Sequence, residues 1–544
     1  MNKVDKTKTK NFLVQGSLLA IAGIIVRLIG LLYRVPLTNI IGDEGIGVYS
    51  TAYSIYNILL LISSYSLPLA VSRLIAARLA KYDYTNSHRL FIGALIFALI
   101  SGGLVGGICF FGADVFATLM VMPQAAFAIK TLAPTIFIMA FLGVLRGYFQ
   151  GHGTMVPTAI SQIIEQIINA IISLVAGYLL FKSGAKIDAL DGLVNYNSAA
   201  YGAAGGTIGT GAGAFAAFAF CAVLYFVRKK KNPYKRDDGK ASKSYTHLIK
   251  VLVMTIFPVL ISATIYQVST IIDQAIYASY MNTDYSAIWG AYNGKYLLLV
   301  HVPTAIAAAL GSAVIPTLAA AMTRGNKEEI VDKSRVAIRF NMLIAIPATV
   351  GLAALSRPIM DMLFTTDNSL ASFMMTVGSV AICFNALSTI TNSILQGIGN
   401  IWLPVKNAVI SLGIHIGILY VLLWVFDLGI YGVIISNFCF YIIMSILNNY
   451  SLKKKLDYKQ EFKRTFIIPF IASLAMGVVA YLAYKLLRFF SLGNALSTII
   501  AIIIAVIIYA VLLLLFKGVD EEDLHRAPFG NVIIKFAKWG RLLS

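Results

Sequence analysis

Two arginines, Arg27 and Arg34, stand seven residues apart in a stretch that is apolar from Phe12 past Leu32. A helix rises about 1.5 Å per residue, so Arg27 lies about 20 Å into such a span and Arg34 two turns, about 10 Å, further along the same face. A charge facing lipid at that depth costs at least about 2.5–3.5 kcal/mol, so Arg27 must face a cavity or a partner. A guanidinium is a permanently charged planar fork that matches a phosphate or carboxylate. Arg34, nearer the surface, either joins Arg27 on one phosphate-bearing anion or snorkels to the interface. Lys295, six residues after Trp289, is the basic position of the second half of the chain, with an interfacial lysine as its alternative reading. The intramembrane acids are Glu165, with Ser161, Gln162 and Asn169 around it, and Asp273, preceded by Ser269. At helical spacing these neighbours share a face with their acid. Glu165 is read as a proton acceptor, as a partner for Arg27, or as part of a hydrogen-bonded packing stripe.

The elements that hold these groups follow from composition. Of 544 residues, 58% are hydrophobic and 12% charged, and the mean hydropathy is +0.80; a soluble domain carries roughly 25% charged residues. Runs of about 20 apolar residues recur along the chain, each long enough to cross a hydrocarbon core of roughly 30 Å. They predict an all-α polytopic membrane protein of about fourteen spans. The net charge of +20 sits in short runs between spans, which explains it by topology rather than by nucleic acid. Lys and Arg gather in the even-numbered connections, which puts both termini in the cytoplasm.

A repeat divides the chain. Gln150-Gly151-His152-Gly153 returns as Gln396-Gly397-Ile398-Gly399, 246 positions on, each followed by a proline, Pro157 and Pro404. Pro68 and Pro316, and Tyr49 and Tyr53 with Tyr292 and Tyr296, recur at similar offsets. Residues 1–228 then form a first lobe of six spans and 248–452 a second lobe of the same orientation. A basic cytoplasmic linker, 229–247, joins them. Residues 465–516 add two further spans, and 517–544 form a cytoplasmic tail whose end, Asn531–Ser544, has the pattern of an interfacial amphipathic helix. Pro36 is expected to kink or end the first span as a hinge, with Gly151 and Gly397 at the repeated turn. Gly205, Gly209 and Gly213 share one helical face, a small-xxx-small contact rather than a nucleotide loop. Cys109, Cys221, Cys383 and Cys439 lie inside spans with no metal-ligand spacing, as small buried hydrophobes. No loop holds a catalytic domain, and His152, His301 and His415 are scattered, so neither an enzyme nor a metal site is expected.

Two segments carry a resemblance. Arg27-Leu-Ile-Gly30-Leu-Leu-Tyr33-Arg34-Val-Pro36 with Gly42-Asp-Glu-Gly45-Ile-Gly47-Val-Tyr49 resembles the opening of polysaccharide flippases of the SpoVB, YtgP and MurJ type. Arg146-Gly147-Tyr-Phe-Gln150-Gly151-His152, followed by Pro157-Thr-Ala-Ile-Ser161-Gln162-Ile-Ile-Glu165-Gln166, is similar to their span four to five signature. The similarity runs over essentially the whole chain. It implies the multidrug/oligosaccharidyl-lipid/polysaccharide exporter fold, two lobes in a V around a central cavity that alternates its access. Val48 to Ile62 carries no charge where Gram-negative MurJ proteins have an acid and an arginine, so the chain looks closer to the YtgP and SpoVB branch.

The resemblance implies a transporter that flips a polyprenyl-diphosphate-linked saccharide, lipid II foremost, across a bacterial cytoplasmic membrane. Arg27, Arg34, Lys295 and Glu165 would then bind substrate, Lys295 facing the cavity opposite Arg27. Asp273 resembles the acid of a sodium site, with Asn407, Ser411 and Ser436 as the nearest oxygen donors. No organic cofactor is implied; Na+, H+ or the membrane potential is the candidate driving force. The expected state is a monomer in contact with membrane lipids, with room for cell-wall synthesis proteins on its cytoplasmic loops. The alternatives are a flippase for a teichoic or other polysaccharide unit and a cation-coupled drug exporter of the same superfamily.

Overall fold

The computed structural model describes residues 3–231 and 243–519. Most of the expected basic linker and nearly all of the tail, including Asn531–Ser544, lie outside the described residues. Among those residues the chain is helical, without strands: α1 (Lys3–Leu60), α2 (Leu67–Leu79), α3 (Tyr84–Phe111), α4 (Ala113–Leu119), α5 (Ala125–Gly151), α6 (Val156–Asp191), α7 (Tyr196–Lys231), α8 (Tyr245–Met281), α9 (Ser286–Gly290), α10 (Leu297–Thr323), α11 (Lys327–Ala354), α12 (Ser356–Leu363), α13 (Ser369–Gly378), α14 (Val380–Gly397), α15 (Trp402–Trp424), α16 (Ile430–Leu456), α17 (Ile468–Phe489) and α18 (Asn494–Leu515). Wider π-turns interrupt at Leu61–Tyr65, Ala291–Tyr296 and Lys463–Ile467.

Eleven described stretches are long and apolar enough to span a membrane, and the pair α13–α14, bent by 49°, makes twelve. The first stretch, Ala22–Leu79, is itself broken at Gly42, and α8 is a further 37-residue helix. Taking the two arms beside Gly42 separately and adding α8 brings the count to the fourteen that hydropathy predicts. The break corrects one expectation. Pro36 lies within α1, and the backbone leaves the helix only at Gly42, at φ 71° and ψ 178°. Proline fixes a helical φ and costs one hydrogen bond, whereas this φ is open mainly to glycine.

Contacts divide the chain into two compact units, Met1–Gly294 and Lys295–Ser544. The division follows α9 rather than the basic linker. Leu248, Leu252 and Ile256 of α8 join the first unit's core with Leu67, Phe91 and Phe149. The α9 backbone also meets the turn after Gly42: a Cβ on Gly47 would strike the Ser286 carbonyl, and one on Gly290 the Asp43 carbonyl. The second unit's core gathers Leu318, Ile338, Met342, Ile390 and Leu395 from α10, α11 and α14.

The repeated turn is the same structure twice. His152, Gly153 and Thr154 donate their backbone N–H groups to Tyr148, Gln150 and Phe149; Ile398, Gly399 and Asn400 donate to Ile394, Gln396 and Leu395, each 246 positions on. Gly153 at φ 77° and Gly399 at φ 82° close the two turns. The glycine face of α7 lies directly on α6, since Cβ atoms on Gly205, Gly209 and Gly213 would strike Ala176, Ser173 and Glu165. Cys109 and Cys221 are buried, and all four cysteines are free thiols. Among the described residues the last hairpin, α17–α18, packs on α11, where a Cβ on Gly477 would strike the Val350 side chain and Leu343 lies against Ala472 and Leu513. Tyr509 also donates to the Leu343 carbonyl at 2.9 Å and Asn494 to the Pro358 carbonyl at 3.1 Å.

Candidate functional site

The turn at Gly42 folds α1 back on itself, which brings Tyr49 and Tyr53 beside Arg34. The Arg34 guanidinium stands 5.8 Å from the centroid of each ring, and the two rings stack at 5.5 Å. An arginine so placed is attracted to the π faces and is held before any anion arrives. The Tyr33 and Tyr49 hydroxyls lie 3.4 Å apart, and Asn169 of α6 donates to the Tyr33 oxygen at 3.4 Å. Asn169 is fixed in turn, its carbonyl oxygen accepting from Ser173 at 2.9 Å.

The sides of α1 can be read from its exposed apolar residues, Ile24, Ile25, Leu28 and Leu32. At 100° per residue, Arg27 and Arg34 lie about 115–135° around the helix from that lipid-facing side. They share a flank with Gly30 between them. Arg27 is exposed and Arg34 half-buried.

Glu165 takes a different partner from the expected Arg27. Arg146 reaches its carboxylate at 2.7 Å and donates through Nε to Ser161 at 2.9 Å. Arg146 is 8% exposed and Glu165 half-buried, so this is a partly buried ion pair between α5 and α6. Ser161, Glu165, Asn169 and Ser173, four residues apart, make one polar stripe on α6.

Lys295 is fully buried. Its ammonium donates to Thr366 Oγ1 at 2.7 Å and the Asp367 carbonyl at 2.9 Å, with the Phe364 ring at 5.8 Å. It holds the connection between α12 and α13. In that connection the Ser369 N–H and hydroxyl keep the Asp367 carboxyl below the usual carboxylate range.

The four expected ion ligands fall in both compact units. Asp273, 4% exposed, belongs to the first. In the second, Ser411 donates to the Asn407 carbonyl at 2.8 Å, and Ser436 donates to the Val433 carbonyl and presents its own to His415 Nδ1 at 2.9 Å. The Asn407 amide donates to Asn448 at 2.9 Å and Ser451 at 3.2 Å. Asn448 passes the chain on to Asn392 at 2.7 Å and Thr391 at 3.0 Å. Among the described residues no three His, Cys, Asp or Glu side chains gather as a metal site.

Sequence reasoning names Tyr49 and Tyr53 as landmarks of the repeat, and Tyr49 in the segment that carries the resemblance, and misses the Arg34 clamp. The signal was the four-residue spacing of the two tyrosines, which puts them on one face. It also gives Gln166 no role, although this side chain reaches α1 at Gly30.

The chain matches the model of a family described as polysaccharide biosynthesis protein over residues 12–322, and the MatE family over 258–421. It is 26% identical to the uncharacterized membrane protein YabM of Bacillus subtilis over 97% of each chain. It is 25% identical to the lipid II flippase MurJ of the same organism, covering 86% of this chain and 87% of that one. A lipid II flippase MurJ structure in an inward closed conformation superposes with a TM-score of 0.63 at 17% identity, over 91% of this chain and 97% of the other. That likeness is one of fold, shared with transporters of the MOP superfamily. With that fold, and with more than half its length matched, the chain belongs to the polysaccharide biosynthesis protein family and is a multi-pass membrane protein.

Proposed function

We propose that the chain flips a polyprenyl-diphosphate-linked saccharide from the inner to the outer leaflet of the bacterial cytoplasmic membrane by alternating access, with lipid II as its preferred cargo. The observation that carries this reading is Arg34, a cation inside a span, turned from the lipid-facing side and held beside two stacked tyrosine rings. Together with Arg27 it offers two guanidinium forks on one flank, the chemistry a diphosphate needs. The relative named as a lipid II flippase supports the choice of cargo. We take both termini to be cytoplasmic from the Lys and Arg bias of the connections.

An inside-negative potential drives an anionic headgroup outward with roughly 2.3 kcal/mol per charge per 100 mV, so the potential alone is a sufficient driving force. A drug-cation exporter of the same fold requires an accessible acid for its cargo; of the two intramembrane acids, Glu165 is neutralised by Arg146 and Asp273 is 4% exposed. The family's general description favours a second cargo, another wall polysaccharide unit on the same lipid diphosphate.

The test is complementation. In a bacterium depleted of its lipid II flippase, the wild-type chain restores outer-leaflet lipid II, and Arg27→Ala and Arg34→Ala each restore less. Absence of restoration by well-expressed wild type rejects lipid II as cargo. Flipping that persists when the potential is collapsed rejects the driving force.

A further inference from the structure

Two glutamines on α6, Gln162 and Gln166, have no hydrogen-bond partner among the described residues, although both sit within a membrane span and are only half-buried. The lipid-facing side of α6 is marked by exposed Ile160, Ile167, Ile171 and Val175. At 100° per residue, the glutamines lie about 135–175° from that side. Their exposure is therefore to an internal face of the first unit, where an unpaired amide is tolerable only against water or a polar ligand.

Gln166 also has a fixed neighbour. Its Nε2 lies 3.1 Å from where a Cβ on Gly30 would stand. Gly30 is three residues after Arg27 and four before Arg34, so the amide covers the gap between the two cations. A side-chain amide offers two donors and an acceptor, which suits a sugar bearing hydroxyl and N-acetyl groups. Diphosphate and first sugar are joined in the cargo, as the arginine flank and the glutamine pair adjoin here.

Resting on the flippase reading, we infer that Gln162 and Gln166 form a saccharide subsite that recognises the sugar attached to the diphosphate, with Gly30 leaving the room Gln166 needs. The arginines then bind any polyprenyl diphosphate, and the glutamines add the preference for one that carries sugar.

The experiment uses the full chain in lipid nanodiscs and two probes, undecaprenyl diphosphate and lipid II, with binding measured by native mass spectrometry. Gln162→Leu/Gln166→Leu is expected to weaken lipid II binding about tenfold, as the loss of two hydrogen bonds implies, and to leave undecaprenyl diphosphate within about twofold of wild type. Retained binding of the sugar-free probe reports that the variant is folded. Gly30→Ala, which crowds Gln166 without touching an amide, is expected to show the same selective loss, and stands in if the double variant misfolds. Equal losses on both probes, or none on lipid II, overturn the subsite while leaving the flippase reading in place. Failure of the wild type to bind either probe overturns the flippase reading and the subsite with it.

Discussion

The two compact units solve one structural problem with different chemistry. At positions 246 apart in the repeat, Arg146, Ser161 and Glu165 of the first unit correspond to Asn392, Asn407 and Ser411 of the second. In the first unit these positions meet directly, through an ion pair of 2.7 Å. In the second they are neutral, and Asn448 of α16 stands between them, accepting from Asn407 at 2.9 Å and donating to Asn392 at 2.7 Å. Both arrangements tie consecutive helices of the repeat together beyond the Gln-Gly turn. Only the first places charges beside the Arg34 clamp. The contrast teaches that the repeat conserves helix geometry and leaves electrostatics free to diverge, so a charged site on one copy does not predict its counterpart on the other.

The strongest way to break this comparison is to remove one charge of the pair. Glu165→Ser leaves Arg146 uncompensated and nearly buried, which costs about 3–5 kcal/mol and is expected to lower the unfolding temperature of the detergent-solubilised protein markedly. The double variant Arg146→Asn/Glu165→Ser, which copies the second unit, is expected to recover most of that loss. If it is no more stable than the single variant, the two arrangements are not interchangeable. Next in size is Arg34→Ala, expected to reduce flipping by roughly 10- to 100-fold for the loss of a charge-assisted hydrogen bond worth about 1.5–3 kcal/mol. Lys295→Met, by contrast, is expected to act through stability more than through substrate affinity, because its ammonium serves the α12–α13 connection. Binding of undecaprenyl diphosphate separates the two.

In the second unit, Asn448→Ala strands buried partners on α14 and α15 and is expected to cost about 1–3 kcal/mol, read by the same thermal assay. The smallest effect belongs to Asp457, fully exposed, whose carboxyl the Lys327 ammonium holds below the usual range. A depressed pKa contributes stability above the ordinary aspartate range and loses it as the pH falls through the lowered value. For so exposed a pair, Asp457→Asn is expected to leave the unfolding temperature unchanged at neutral pH and physiological salt.

Much of the fold is legible in the sequence because a bilayer allows so few solutions. Apolar runs of span length have to be helices, and Gln150-Gly151 and Gln396-Gly397 spell out the same turn in the same order. The break at Gly42 is harder to see, since proline is the louder signal and glycine recurs throughout the chain. Arg34 is legible as a cation out of place, but its clamp arises only when the chain folds back and sets Tyr49 and Tyr53 against it. Glu165 shows the limit most clearly. Its polar neighbours on α6 are visible at helical spacing, whereas Arg146 lies on the preceding helix, and only packing selects it over Arg27.

The hairpin of α17 and α18 has a consequence for how the molecule is made. Apolar side chains gain little by leaving lipid for another apolar surface, so the hairpin has to dock through close packing and hydrogen bonds. The close fit of Gly477 against Val350, with the polar contacts of Tyr509 to Leu343 and Asn494 to Pro358, tells its seat apart from the surrounding acyl chains. Both donors lie on α18 and leave the ribosome after the helices they must find. Docking of the hairpin is thus a late step of assembly, driven by close packing and by these polar contacts rather than by the exclusion of water.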